Sequence, residues 1–159
     1  MKIMIVSDSH GRNTNLEKAL EKVKPIDLFL HLGDFEGSEE YIRSIVSCEI
    51  VMVPGNNDYF TGLEKDKIIN IGIYTMFLTH GHRYGVNFGT ERLRDIATQY
   101  GANIALFGHT HRPLIDLSSN VWVINPGSIT QPRQEGGKPS FLIMDIDSNG
   151  QAHFTLNYI

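Results

Sequence analysis

The stretch Ile3-Met4-Ile5-Val6 is apolar at every position and stops abruptly at Ser7-Asp8-Ser9-His10-Gly11. A half-exposed strand would alternate apolar and polar residues. An unbroken run rich in β-branched residues describes a strand buried on both faces. Asp8 and His10 stand where that strand ends. If Asp8-Ser9-His10 stays extended, the two side chains project to one side, because strand side chains repeat every second residue. An oxygen donor and a nitrogen donor on one side make half of a metal site. Taken alone, the pair also suits a helix N-cap aspartate followed by a surface histidine.

The same pattern returns along the chain. Leu16, Ala19, Leu20 and Val23 follow at helical spacing and Pro25 closes that segment. Residues 27–32 read as a second buried strand ending in Gly33-Asp34. Ser38 could cap a helix running to about Val46. Ile50 to Val53 form a third strand, ending in the polar turn Pro54-Gly55-Asn56-Asn57-Asp58. Strand, helix, strand, helix, strand is the order of a parallel sheet with crossover helices. Lys67 to Ile71 and Ile73 to Thr79 then read as two strands, the second ending in His80-Gly81-His82. Asn87 to Tyr100 reads as a helix stopped at Gly101. Asn103 to Phe107 is another buried strand, ending in Gly108-His109-Thr110-His111. Residues 114–117, 121–124, 140–146 and 152–158 read as closing strands, expected to form a second, mostly antiparallel sheet. The expected fold is α/β: two sheets packed face to face with helices outside, as one domain over residues 1–159.

Composition narrows the function. A length of 159 residues allows a substantial core. A formal net charge of -4 gives no basic surface for a stable nucleic-acid complex. Cys48 is the sole cysteine, so an internal disulfide is ruled out and a reducing cytoplasm is the expected compartment. No apolar run approaches the ~20 residues that cross a bilayer, and no signal-peptide pattern precedes the first strand. A homo-oligomer is compatible with all of this.

Five apolar runs therefore end in metal-donor types: Asp8 with His10, then Asp34, Asn56, His80, and His109 with His111. In open α/β sheets the ligand site lies beyond the carboxyl ends of the strands, which brings such ends together. Carboxylates and imidazoles without thiolates suit manganese, iron, zinc, nickel or cobalt rather than a zinc–thiolate structural site. Seven donors exceed the needs of one tetrahedral ion and suit two ions sharing a carboxylate. Two ions about 3.5–4 Å apart can clamp a phosphoryl group and make hydroxide available at neutral pH.

The series Asp8-x-His10, Gly33-Asp34, Gly55-Asn56-x-Asp58, His80-Gly81-His82 and Gly108-His109-x-His111 resembles the calcineurin-like metallophosphoesterases. The short length and the Asn125-Pro126-Gly127-Ser128 turn resemble the small, uncapped phosphodiesterase branch. The resemblance implies a two-sheet sandwich flanked by helices. It implies one divalent ion, manganese foremost, on Asp8, His10 and His111, and a second on Asn56, His80 and His109. Asp34 would bridge them together with a hydroxide that attacks phosphorus in line. One position departs: where the family usually has a histidine, this chain has Asn57, and an amide cannot serve as a general acid at neutral pH.

The expected activity is metal-dependent hydrolysis of phosphodiester bonds in small or nucleotide-like substrates, with Asp34, Asn57 and His82 as the catalytic candidates. Two other readings stand beside it. One is a phosphomonoesterase of the same fold. The other is a non-catalytic scaffold like one retromer subunit, which the intact ligand set disfavours. His82 could touch substrate or act as a loop histidine. His31 is expected to be structural, His153 a surface residue and Asp58 a turn cap. Arg133 could reach a phosphate or sit in a surface salt bridge.

Overall fold

The computed structural model describes all 159 residues. Its first half follows the expected order: β1 (Lys2–Val6), α1 (Thr14–Val23), β2 (Leu28–His31), α2 (Glu39–Ile45) and β3 (Glu49–Met52). β1 pairs in parallel with β2, and β2 with β3, so each helix is a crossover. β4 (Asp66–Ile71) and β5 (Tyr74–Thr79) make an antiparallel hairpin, followed by α3 (Glu91–Gln99). β6 (Ile104–Leu106), β7 (Pro113–Asp116), β8 (Trp122–Pro126), β9 (Ser140–Ile146) and β10 (Ala152–Tyr158) complete the chain.

The strands form two five-stranded sheets, ordered β10-β9-β1-β2-β3 and β4-β5-β6-β8-β7. The closing strands do not make a sheet of their own, which corrects the expectation. β7 and β8 join the second sheet, where β8 lies parallel to β6, while β9 and β10 extend the first beside β1. Both sheets are therefore mixed. The reason lies in β1: apolar on both faces, it belongs in the middle of a sheet, and its second edge needs a partner. Phe141 to Met144 of β9, all buried, supply one.

Burial explains the unbroken apolar runs. Ile3 and Ile5 of β1 face the second sheet and meet Met76, Leu78, Ile104 and Leu106. Met4 and Val6 face the other way, against Leu16 and Ala19 of α1 and Ile42 of α2. Phe77 and Ala105 turn outward to Leu93 and Ala97 of α3. The layers run helix, sheet, sheet, helix. No helix is long and apolar enough to cross a membrane.

The third helix begins later than its apolar spacing implies. Residues 82–84 form a short 3-10 turn, and Gly85 and Gly89 take φ of 68° and 145°, outside the helical region. Helix geometry resumes only after Thr90. That interruption leaves residues 82–90 as a connection beside the strand ends.

The strand ends are bound to one another. The Asp8 amide donates to the Gly33 carbonyl at 3.0 Å, and the Gly108 amide donates to the His80 carbonyl at 3.1 Å. The Ile129 amide reaches the Ser7 carbonyl at 3.2 Å. Two glycines permit this approach. A Cβ on Gly55 would fall 2.0 Å from an Asp34 carboxylate oxygen, and one on Gly108 would fall 1.9 Å from the Ser7 hydroxyl. Gly55→Ala is therefore expected to cost about 1–3 kcal/mol, lowering Tm by several degrees. Gly62→Ala, strained by its φ of 69° but with nothing near its Cβ position, serves as the comparison. A Gly55→Ala melt at the wild-type temperature would show that the two strand ends are not tightly apposed.

Candidate metal centre

Each candidate donor sits just beyond a strand: Asp8 and His10 after β1, Asp34 after β2, Asn56 after β3, His80 after β5, and His109 and His111 after β6. The backbone there is not extended. Asp8, His10, Asp34, His109 and His111 have φ of 56°, 46°, 56°, 66° and 57°, all left-handed. This corrects the extended reading of Asp8-Ser9-His10: the chain turns sharply at both donors instead of carrying the strand on. Asp and His tolerate this region better than most residues, and it costs of order 1–3 kcal/mol each. Strain of that kind persists only where surrounding structure holds it.

Asp8 is the centre of the cluster. Its Oδ1 lies 3.2 Å from Nε2 of His111 and 4.0 Å from Nε2 of both His10 and His80. Its Oδ2 accepts the His109 amide at 3.1 Å. Nε2 of His80 is 3.5 Å from Oδ2 of Asp34. Two groups of donors could each hold an ion: Asp8 with His10 and His111, and Asp8 with Asp34 and His80. Asp8 is common to both.

Second partners orient the imidazoles. Nδ1 of His80 donates to the Leu32 carbonyl at 2.7 Å, and Nδ1 of His111 to the Gln131 carbonyl at 2.7 Å. Nδ1 of His10 meets the Glu36 carboxylate at 2.7 Å. With the proton held on Nδ1, each Nε2 keeps its lone pair for a ligand. Nε2 of His10 and Nε2 of His111 then face each other at 3.2 Å. Two lone pairs and a carboxylate oxygen so placed repel one another unless something positive lies among them. Asp8 Oδ1 and His80 Nε2 are buried and have no hydrogen-bond partner. These orphaned atoms, and a donor set of imidazoles and carboxylates, fit a divalent cation.

Asp34 is 2 % exposed. Burial alone would raise its pKa, but the His80 imidazole and the Asn57 amide reverse this and hold the carboxyl well below the usual range. Burial likewise pulls the His80 imidazole down, and Asp34 and Asp8 more than offset it, so its pKa rises. Burial, with His80 and His109 nearby, depresses His82 to about 4. His109 is lowered by burial and by His80.

The remaining candidates fall around this cluster. Asn57 donates twice to Asp34, from its backbone amide at 2.9 Å and its side chain at 2.8 Å. It therefore positions a donor. Asn56, next to it, is exposed on the turn. Nε2 of His109 faces the Asn87 side-chain amide at 2.9 Å. The His82 ring centroid lies 5.4 Å from that of His80 and 6.0 Å from that of His109. Asp58 gathers the backbone amides of Asp34, Glu36 and Gly55 at 2.6, 2.7 and 2.8 Å, clamping two strand ends together. His153 pairs with Asp147 at the surface.

Glu36 and Asn87 carry no sequence signal for their contacts. Neither belongs to a spacing pattern, and each reaches its histidine only through folding. Ser128 and Thr130 are similar: their hydroxyls both donate to the Asp8 carbonyl, at 2.8 and 2.9 Å, holding its strained backbone.

His31 is fully buried behind the cluster. Its Nδ1 accepts the Gly33 amide at 3.2 Å and its Nε2 lies 3.1 Å from the Ser9 hydroxyl. Burial lowers its pKa from 6.5 to about 4. The unfolded chain thus binds a proton between pH 6.5 and 4 that the folded chain refuses, so this contribution is complete above pH 6.5 and is lost as pH falls through that window. The depression corresponds to roughly 3 kcal/mol. Urea unfolding of metal-free protein across that range should show the loss, and His31→Gln should make it less steep, leaving the share contributed by His82 and His109. Equal slopes in both proteins would mean that His31 is not held neutral.

Comparison with known proteins gives a consistent result. The family model described as the calcineurin-like phosphoesterase superfamily domain matches residues 1–149. The chain is 31% identical to the probable metallophosphoesterase YsnB of Bacillus subtilis, over 94% of this chain and 86% of that protein. It is 30% identical to a phosphodiesterase of Methanocaldococcus jannaschii, over 80% and 83% of the two chains. Among solved structures, a predicted phosphoesterase from Streptococcus pneumoniae superposes with a TM-score of 0.79 at 26% identity, covering 99% of this chain and 97% of that one.

Proposed function

Because the chain belongs to the calcineurin-like phosphoesterase superfamily, we propose that it hydrolyses phosphodiester bonds of small or nucleotide-like substrates using two divalent ions. The observation that carries this reading is the pair of donor groups sharing Asp8, with Asp8 Oδ1 and His80 Nε2 buried and unpartnered. Preference for diesters is supported by the 30% identical archaeal phosphodiesterase. The unpaired, half-buried Cys48 suits a reducing cytoplasm.

Asp8, His10 and His111 would hold one ion. His80, with Asn56 and His109 reached from their loops, would hold the other. By the family resemblance Asp34 would be the shared carboxylate, while Asp8 is the carboxylate common to both donor groups here. When bound, the ions supply Lewis-acid stabilisation of phosphoryl charge and lower the pKa of water towards ~7. Manganese, nickel or cobalt suits these donors better than magnesium, which prefers all-oxygen coordination.

The chain's own residues set the rest. Asn57 commits its amide to Asp34, keeping that carboxylate aimed at His80. Asn57 is then no source of a proton for the leaving group. His82, depressed to about 4, is a neutral imidazole at pH 7, so it offers a hydrogen bond and not a ready positive charge. The departing oxygen leaves with little help.

Chelation should abolish cleavage of a chromogenic diester, and Mn²⁺, Ni²⁺ or Co²⁺ should restore it better than Mg²⁺. Asp8→Asn and Asp34→Asn should resist rescue by excess metal, whereas His111→Ala should recover in part, because a terminal ligand affects one ion only. Full activity after exhaustive chelation would sink the metal reading. Rescue of both carboxylate variants alongside a dead His111→Ala would place the shared ligand elsewhere.

Rates should also fall steeply as leaving-group pKa rises, with aryl esters cleaved well and alkyl esters poorly. A positioned general acid is worth ~10²–10⁴-fold, which sets the size of the gap. A flat wild-type series that turns steep in His82→Ala would assign the acid to His82.

A further inference from the structure

Beside the candidate metal centre lies a hollow of about 380 Å³ that the reading above leaves without a role. Its polar wall is Asn87, Thr90, Thr110, Arg112 and Arg133, and Val86 and Phe107 contribute apolar surface. It adjoins the centre through direct bonds. Asn87 touches His109 at 2.9 Å, Thr110 stands between His109 and His111, and the Arg133 amide donates to the His111 carbonyl at 3.0 Å.

Its charge is unusual for an acidic chain. The net charge is -4, yet no carboxylate lines this hollow and two guanidiniums do. Arg43, Arg83 and Arg94 are each in an ion pair with a carboxylate. Arg12, Arg92, Arg112 and Arg133 have no such partner, and of these Arg112 and Arg133 share one hollow. Arg112 spends only Nε, on the Arg133 carbonyl at 3.2 Å, which also draws the two residues together. The surface salt bridge open to Arg133 from the sequence is not formed. The Arg133 guanidinium and the two terminal nitrogens of Arg112, with hydroxyl and amide donors around them, match the chemistry of a phosphate dianion.

We propose that this hollow binds a second phosphate on the substrate, set apart from the scissile one by a sugar-sized spacer. This rests on the phosphodiesterase reading and refines it. The substrate class is phosphodiesters that carry a further terminal phosphate, as in a nucleotide esterified at one sugar hydroxyl and phosphorylated at another. The spacer lies against Val86 and Phe107, its hydroxyls facing Asn87, Thr90 and Thr110. Arg112 and Arg133 hold the second phosphate, which fixes the scissile phosphorus over the donors of Asp8 and His111.

The test uses two matched esters, thymidine 5'-(p-nitrophenyl phosphate) with and without a 3'-phosphate, on the manganese-loaded protein. The 3'-phosphorylated ester is expected to show a KM lower by about tenfold or more, the size of one good charge-assisted contact. Arg133→Gln and Arg112→Gln should bring the two KM values together. Lys22→Gln, which removes a distant exposed charge hydrogen-bonded to the Tyr158 carbonyl, should leave the ratio as in wild type. Arg133→Gln is the cleaner variant because its guanidinium makes no hydrogen bond to lose. A second arm needs no turnover: thymidine 3',5'-bisphosphate is titrated calorimetrically into metal-free wild type and Arg133→Gln, with weaker binding expected in the variant. Equal KM values in wild type, or a ratio that survives both arginine substitutions, overturns the second-phosphate site. If neither ester is cleaved, the phosphodiesterase reading fails by itself, and equal binding in the calorimeter would then overturn the site as well.

Discussion

The Asp8 carboxylate is fully buried among imidazole nitrogens that present lone pairs. Its Oδ1 lies 3.2 Å from His111 Nε2 and has no hydrogen-bond donor. Asp34 adds a second buried carboxylate. Such an arrangement is costly in low dielectric unless a positive charge is shared among its members. Burial pulls the His80 imidazole pKa down, and the neighbouring Asp34 and Asp8 carboxylates more than offset it, so its pKa rises. Everything around the cluster keeps these repelling groups close.

That holding is done by backbone. Five donors adopt left-handed φ values, and each is fixed by bonds from another part of the chain. Ser128 and Thr130 anchor the Asp8 carbonyl, and Asp58 takes the amides of Asp34 and Glu36. The His10 amide donates to the Asp34 carbonyl at 2.9 Å. Strain is thus offset by polar bonds reaching from β8, β3 and β2 to the same edge. The donor side chains are therefore held by a framework of hydrogen bonds that does not run through the donor atoms left unpartnered.

The same edge accounts for the neighbouring hollow. His109 and His111 turn sharply after β6, and the chain returns through Arg112 to β7. The loop after β8 brings Arg133 back against His111. A hollow lined by Arg112 and Arg133 thus lies next to the cluster of metal-donor side chains. On the proposed reading, one part would handle the bond to be cleaved and the other the charge that identifies the substrate.

Much of this was legible in the residues. Unbroken apolar runs such as Ile3 to Val6 specified buried strands, because only a strand covered on both faces has use for apolar residues at every position. Donors recurring at strand ends specified a shared edge, because parallel strands place their carboxyl ends together. What the spacing could not say was how the donors turn. An extended Asp8-Ser9-His10 was the conformation that would align the two donors, while in the fold both are left-handed, Asp8 held by Ser128 and Thr130 over a hundred residues away and His10 by the Asp34 carbonyl. Glu36, Asn87 and the pairing of Arg112 with Arg133 were equally hidden, since each contact joins segments with no common pattern. The placement of β9 beside β1, instead of in a separate sheet, followed from the need to cover a second strand edge, which no local segment records. Local chemistry and periodicity determined which residues are donors and which segments are strands. Only the tertiary structure decided which donor side chains lie together and in what orientation, because that depends on long-range hydrogen bonds strong enough to hold strained backbone and repelling groups in place.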